Sequence, residues 1–352
     1  MPSSTLNAAK KAKNDEFYTQ FSDIQKEINA YIEYNPDVFR DKTVLLPCDD
    51  PEWSNFTKFF AKNFENFWLK KLISTSFANE SKIYKDGYQP TLFETENPKY
   101  DKNKTRVKWK IFTLTHDTNQ NWKIDVDDLE RDYLQWDWDF RSEEVKKLRD
   151  ESDIIITNPP FSLFREFVEW IMEGKKDFLI IWNQSSIANK DFFPLIKDNK
   201  VWIWVTMDSS NRWFQLPDSF TEYHKIENGK KYAFVAWPLW FTNIEHWRRH
   251  QPLSLMTMAD NIKYSKHKDI CECGYKKYDN FDAIDVSNVD SIPNDYEWIM
   301  GVPVSFLRKY CPEQFEIIWL DRYTAPKKVL VWWRLAIDWK PKFPRILIRH
   351  KK

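Results

Sequence analysis

The chain has 352 residues and balances 53 Lys and Arg against 53 Asp and Glu, so its formal net charge is zero. With 42% hydrophobic and 30% charged residues it is too apolar for a disordered chain, and its neutrality argues against indiscriminate coating of nucleic acid. Met1 to Lys13 lacks the apolar core of a signal peptide, no run of roughly eighteen apolar residues occurs, and Cys48, Cys271, Cys273 and Cys311 are too few for a disulfide framework. A reduced, cytoplasmic, non-membrane protein is expected.

Ser22-Asp23-Ile24-Gln25 has the form of a capping box, and Ile24, Ile28, Tyr31 and Ile32 recur at helical spacing, which predicts a helix over 22–34. Thr43 to Pro47 reads as a short buried strand. Trp53, Phe56, Phe60, Phe64 and Phe67 then share a helical face, and Leu72-Ile73-Ser74-Thr75 begins a second strand, as a parallel α/β sheet would. Residues 79–104, with Gly87, Pro90 and Pro98, read as an insertion loop before a strand from Val107 to Leu114. Asp153 to Thr157 is a continuous apolar strand, Ser162 is placed to cap a helix bearing Phe164, Phe167, Val168 and Ile171, and Phe178 to Ile181 is another strand. A doubly wound α/β sheet follows. After about residue 205 the pattern loosens, ending in Lys328–Val331, Arg334–Ile337 and Arg345–Ile348, which resemble an antiparallel meander. The expected division is therefore 1–205 and 206–352. Charge is uneven: Tyr323 to Lys352 carries nine Lys and Arg against Asp338 alone, which makes this tail a candidate for phosphate contact.

Asn158-Pro159-Pro160-Phe161 lies just after a buried strand and before a helix, where open α/β sheets place their ligands. Two prolines stiffen the turn and remove two backbone donors, leaving the Asn158 side-chain oxygen and the Pro159 carbonyl as acceptors. Two acceptors that hold the hydrogens of a planar exocyclic amine favour pyramidal nitrogen and localise its lone pair. Phe161 adds a flat face for stacking a base. The chemistry this suits is orientation of an amine for in-line attack on an electrophilic methyl group.

The run D-I-I-I-T-N-P-P-F-S-L-F-R-E-F resembles the catalytic segment of adenine-specific DNA methyltransferases of the EcoRI type. Asn14 to Gln20 resembles the element that folds over the methionine part of S-adenosylmethionine, and Pro47-Cys48-Asp49-Asp50-Pro51 resembles the first cofactor loop. Asn211-Arg212-Trp213-Phe214-Gln215 and Tyr278-Asp279-Asn280-Phe281-Asp282 also match. The resemblance implies a Rossmann-like, S-adenosylmethionine-dependent sheet with a smaller C-terminal target-recognition region. It implies that Asn158, Pro159, Pro160 and Phe161 are catalytic, and that Phe17, Tyr18, Thr19, Cys48, Asp49, Asp50, Asp139 and Phe140 bind the cofactor. The expected reaction is N6 methylation of an adenine flipped out of double-stranded DNA by a monomer, within a restriction-modification system that includes a cognate endonuclease. The same turn also suits cytosine N4, RNA adenine or a glutamine amide, and a DNA-binding module without turnover is the alternative of a different class. Ser74, Thr75 and Ser76 offer no acid after the second strand, which leaves the ribose partner open.

The composition holds 5 Gly beside 19 Trp, where glycine ordinarily makes up about 7% of a chain. Several Trp stand where a turn asks for glycine. Asp338-Trp339 has the position of an Asp-Gly hairpin turn, which needs positive φ at both residues. Trp68, Trp122, Trp136, Trp138, Trp182, Trp204, Trp237, Trp247, Trp298, Trp319, Trp332 and Trp333 join it, whereas Trp53, Trp202, Trp213 and Trp240 read as genuine. The pattern is that of UGA glycine codons rendered as tryptophan. With glycine at 122, the segment 117–128 approaches a calcium loop, with Asp117, Asn119, Asn121, Asp125 and Asp128 as oxygen donors.

Overall fold

The computed structural model describes residues 19–49, 54–76, 95, 99–101, 103–104, 110–134, 140–159, 163–204, 213–216, 223–234, 238–321 and 334–351. These fall into two compact units, one drawn from 1–184 with 206–244 and the other from 185–205 with 245–352. By compactness, then, 206–244 cluster with the first unit and 185–205 with the second, whereas the expected cut at 205 divides the chain by role.

The first unit opens with α1 (Phe21–Tyr34), β1 (Thr43–Leu46), α2 (Asn55–Lys62) and β2 (Lys71–Ser76). β3 (Lys110–Leu114), β4 (Glu130–Tyr133), α3 (Glu143–Glu151), β5 (Ile154–Thr157), α4 (Phe164–Gly174) and β6 (Asp177–Asn183) follow. The segment 185–205, with α5 (Phe193–Lys197) and β7 (Trp202–Ile203), belongs to the second unit. The chain re-enters the first unit with β8 (Trp213–Leu216), β9 (Lys225–Glu227), β10 (Lys230–Phe234) and β11 (Pro238–Thr242).

The main sheet of this unit has the order β4-β3-β2-β1-β5-β6-β11. β2, β1, β5 and β6 run parallel, and their apolar residues are buried because a parallel strand is covered on both faces. β3 is antiparallel to β2, β4 to β3 and β11 to β6, so the sheet is mixed at its flanks. Ile24, Ile28 and Tyr31 of α1, Phe56, Phe59 and Phe60 of α2, and Phe167, Trp170 and Ile171 of α4 are buried. Each such side chain contributes about 1.5–3 kcal/mol of burial. β8, β10 and β9 form a separate antiparallel sheet.

Several local expectations change. The Ser22 capping box does not form: α1 starts at Phe21 with Gln20 at its N-cap, which leaves Ser22 inside the first turn. The Phe56 helix is shorter than its pattern, because Phe64 and Phe67 lie in turns that end at Trp68 with φ of 53°. α4 begins after Leu163, so Ser162 is not its N-cap residue, and Ser162, like Trp53 and most of the 79–104 insertion, lies outside the described residues.

The second unit continues with α6 (Met258–Tyr264) and α7 (Lys268–Cys273). It then builds a four-stranded sheet from β12 (Ile284–Asp285), β13 (Met300–Pro303), β14 (Phe315–Leu320) and β17 (Arg345–His350) in the order β12-β13-β17-β14. β15 (Ala336–Ile337) and β16 (Lys340–Pro341) make a hairpin. The expected meander is thereby corrected. β17 pairs with β13 and β14 because Ile346, Leu347 and Ile348 are all buried and need a neighbour on each side, and 328–331 lies outside the described residues. Among the described residues, no helix is long and apolar enough to cross a membrane.

Candidate active site

β1 leads through α2 to β2 on one side of the sheet, and β5 leads through α4 to β6 on the other. The connection reverses between β1 and β5. In open α/β sheets such a switch point opens a crevice at the carboxyl ends of the strands, here at Pro47-Cys48-Asp49 and Thr157-Asn158-Pro159.

Asp49 holds these ends together. Its buried carboxylate accepts the Ser54 hydroxyl at Oδ1 and the Thr157 hydroxyl at Oδ2, both at 2.6 Å. Ser54 caps α2 by accepting the Phe56 N–H at 3.1 Å. The Asp49 backbone is fixed as well: its N–H donates to the Thr75 carbonyl at 3.0 Å, and its carbonyl accepts the hydroxyls of Thr57, at 2.9 Å, and Ser74. Thr75 closes the set by donating to the Pro47 carbonyl at 2.8 Å. Ser74 and Thr75 donate their hydroxyls to carbonyls at the β1 end.

Thr19 joins the same neighbourhood. The Asn55 amide donates to its carbonyl at 2.8 Å, and Asn55 follows the Ser54 cap. Among the described residues the buried Thr19 hydroxyl has no hydrogen-bond partner. Next to it, the Gln20 amide donates to the Trp213 carbonyl of β8 at 2.8 Å, which joins two of the family-like segments.

Of the sequence-derived site residues, the structure therefore brings Thr19, half-buried Cys48, Asp49, half-buried Asn158 and buried Pro159 to these strand ends. Phe140 is placed differently. Its ring is buried edge-on against Phe167 and Trp170, with centroids 5.2 and 5.8 Å away, and lies under the Arg141 guanidinium. Phe17, Tyr18, Asp50, Asp139, Pro160 and Phe161 lie outside the described residues. The residues that sequence reasoning missed are Ser54, Thr57 and Thr157. A polar residue closing an otherwise apolar strand was the signal, visible in I-I-I-T.

The calcium expectation finds no support. Among the described residues no group of three or more His, Cys, Asp and Glu could hold a metal ion. The 117–128 carboxylates instead serve their own loop: Asp117 accepts the N–H groups of Asn121 and Trp122, and Asp128 accepts those of Thr118, Asn119 and Asp125.

The sequence profile of the family described as "Adenine-specific methyltransferase EcoRI" matches residues 5–351. The chain is 38% identical over 351 residues to the Type II methyltransferase M.EcoRI of Escherichia coli, covering 99% of this chain and 96% of that protein. It is 33% identical over 319 residues to M.MgeORF184P of Mycoplasma genitalium, covering 89% of this chain and 85% of that one. M.MpnI of Mycoplasma pneumoniae is also 33% identical, over 89% of this chain and 84% of its own length. No solved structure matches. The profile spans nearly the whole sequence, including both strand ends joined by Asp49, and the chain belongs to the EcoRI family of adenine-specific methyltransferases.

Proposed function

We propose that this chain methylates N6 of adenine in double-stranded DNA with S-adenosylmethionine as donor. The observation that carries the reading is the junction of Asp49 with Thr157 at the switch point, which sets the Asn158-Pro159 turn beside the end of β1. A Rossmann-like arrangement is supported by the four parallel central strands and by the reversal of connection between β1 and β5.

Asn158 and Pro159 provide the acceptors for the amine hydrogens, Pro160 stiffens the turn and Phe161 stacks the extruded base. With both hydrogens held, the N6 lone pair would face the methyl carbon of a bound sulfonium donor, whose carbon–sulfur bond would break as the N–C bond forms, leaving a neutral thioether, and the surplus amine proton would pass to bulk water. Reactivity comes from orientation at a crevice lined by fixed dipoles.

The residues present fit a nucleoside-bearing cofactor. Among the described residues the buried Thr19 hydroxyl has no partner, and a ligand atom would satisfy it. Phe17, Tyr18, Thr19, Cys48, Asp49, Asp50 and Asp139 would hold the cofactor, which supplies an electrophilic methyl group on sulfonium sulfur, while Phe140 would act from behind them through its packing on Phe167 and Trp170. Residues 206–352, with the basic tail, would contact DNA phosphates and read the site. The protein would act as a cytoplasmic monomer beside a cognate endonuclease.

The test is incubation with labelled S-adenosylmethionine and unmethylated DNA, RNA or protein, followed by digestion and identification of the methylated product. The chain is assayed as written and with glycine at Trp136, Trp138, Trp182 and Trp339. N6-methyladenine from DNA is expected. Label confined to cytosine, RNA or protein would overturn the reading.

A further inference from the structure

Thr157 is fully buried and is the last residue of an otherwise aliphatic strand. Valine has nearly its shape, so packing alone does not require the hydroxyl. Burying a carboxylate and a hydroxyl away from water costs free energy unless they bond, and here they bond to each other. The backbone register between β1 and β5 pairs Val44 with Ile154 and Leu45 with Ile155. The Thr157 hydroxyl extends that tie to Asp49, at the ends from which the site is built.

Asp49 is a fixed reference point. Its carboxylate is bound by the cap of α2, and its backbone is bound by β2 and α2. It cannot move without breaking contacts to both of these elements. Asn158 follows Thr157 directly, so the backbone that carries its amide is anchored on one side by the β6 ladder at Ile180 and on the other by this hydroxyl.

We infer that Thr157, through its hydrogen bond to Asp49, is a positioning residue that sets Asn158 and Pro159 against the cofactor-side end of β1. One buried carboxylate then aligns both halves of the methyl transfer. The inference rests on the reading of Asn158-Pro159 as the turn that holds the amine. Thr157 touches no reacting atom. Its effect is on the geometry of approach, where a displacement of about 1 Å costs roughly a hundredfold in rate.

The experiment compares Thr157→Val, Thr157→Ser, Asn158→Ala and the parent, measuring kcat, KM for DNA, the Kd of S-adenosylmethionine by calorimetry, and Tm. Thr157→Val is expected to lower kcat by about tenfold to a hundredfold, with KM and Kd within about threefold of the parent. Thr157→Ser keeps the hydroxyl and is expected to restore kcat to within about threefold. If Thr157→Val fails to fold, Thr157→Cys keeps the size with a weaker donor, and its kcat should fall below that of Thr157→Ser. A folded Thr157→Val or Thr157→Cys with parental kcat would overturn the inference. So would parallel loss of kcat, cofactor binding and Tm that serine does not rescue, because that is a purely structural role. Activity in Asn158→Ala would instead overturn the underlying site reading, which separates the two failures.

Discussion

Asp338 and Trp339 form the two-residue turn of the β15–β16 hairpin, with φ of 51° and 55°. The same chain makes the same turn between β9 and β10 with Asn228 and Gly229, at φ of 50° and 74°. Trp339 thus stands where the other hairpin has glycine, and it is 71% exposed, so its ring gains little burial in return. Left-handed backbone costs a residue with a Cβ about 1–2 kcal/mol. Trp339→Gly should raise stability by about 1 kcal/mol in urea unfolding. Loss of stability would contradict the strain argument.

Trp122 and Trp68 share this geometry, with φ of 67° and 53°. Trp122 is 95% exposed, and Trp122→Gly should stabilise as much as Trp339→Gly does. Trp68→Gly should gain less, because the Arg40 guanidinium lies 5.0 Å from the centre of its ring and that contact would be lost. Equal gains at all three positions would contradict this ordering.

The decoding hypothesis makes its own prediction. The codons at Trp68, Trp122 and Trp339 should be UGA, whereas those at Trp202 and Trp240 should be UGG. Trp202 lies under the Arg249 guanidinium at 3.9 Å, and Trp240 packs edge-on against Phe56. Trp182 is buried and stacked on Phe164 at 4.5 Å, so no backbone strain supports glycine there. Mass spectrometry of the protein from its native source should find glycine at 68, 122 and 339. Tryptophan at all three would refute the hypothesis.

Asp321 is buried with no side-chain hydrogen-bond partner for its carboxylate among the described residues, and burial, opposed more weakly by the backbone N–H groups of Arg345 and Leu335, pushes its pKa up to about 6. The folded state therefore binds this proton more tightly than the unfolded chain, whose aspartate titrates near 3.9. Its contribution to stability is fully present below about pH 4 and is lost as pH rises through about 6. The stability difference between Asp321→Asn and the parent should shift by about 1–2 kcal/mol in favour of the variant between pH 4 and pH 8. A difference that does not change with pH would contradict the assignment.

Asp285 illustrates the opposite balance. Burial pushes its pKa up, but hydrogen bonds from Arg345 at 2.8 Å and Tyr278 at 2.5 Å outweigh burial and leave it below the usual carboxylate range. Arg345→Met would strand a buried carboxylate and should cost about 3–5 kcal/mol, read by chemical denaturation. Adding Asp285→Asn should recover part of that cost.

The central sheet was legible because parallel strands buried on both faces leave unbroken apolar runs, as in I-I-I-T and F-L-I-I. The position of β17 was not, because adjacency in sequence favours the hairpin while burial of Ile346 to Ile348 demands two long-range partners. Helix ends also escaped, since Ser22 has the right chemistry but lies two residues past Gln20, where the helix is capped. Asn158 and Pro159 were legible from their place between strand and helix. Asp49 was legible as a residue at the end of the first strand, but its two hydroxyl partners come from residues 5 and 108 positions away, and the pairing with Thr157 leaves no local pattern.

The account turns on Asn158. The most direct measurement is N6-methyladenine formed in duplex DNA by the parent and by Asn158→Ala at equal folded concentration, with S-adenosylmethionine binding measured on both. The account predicts that the variant binds the cofactor as the parent does and forms no detectable N6-methyladenine. Parental methylation by Asn158→Ala would contradict it.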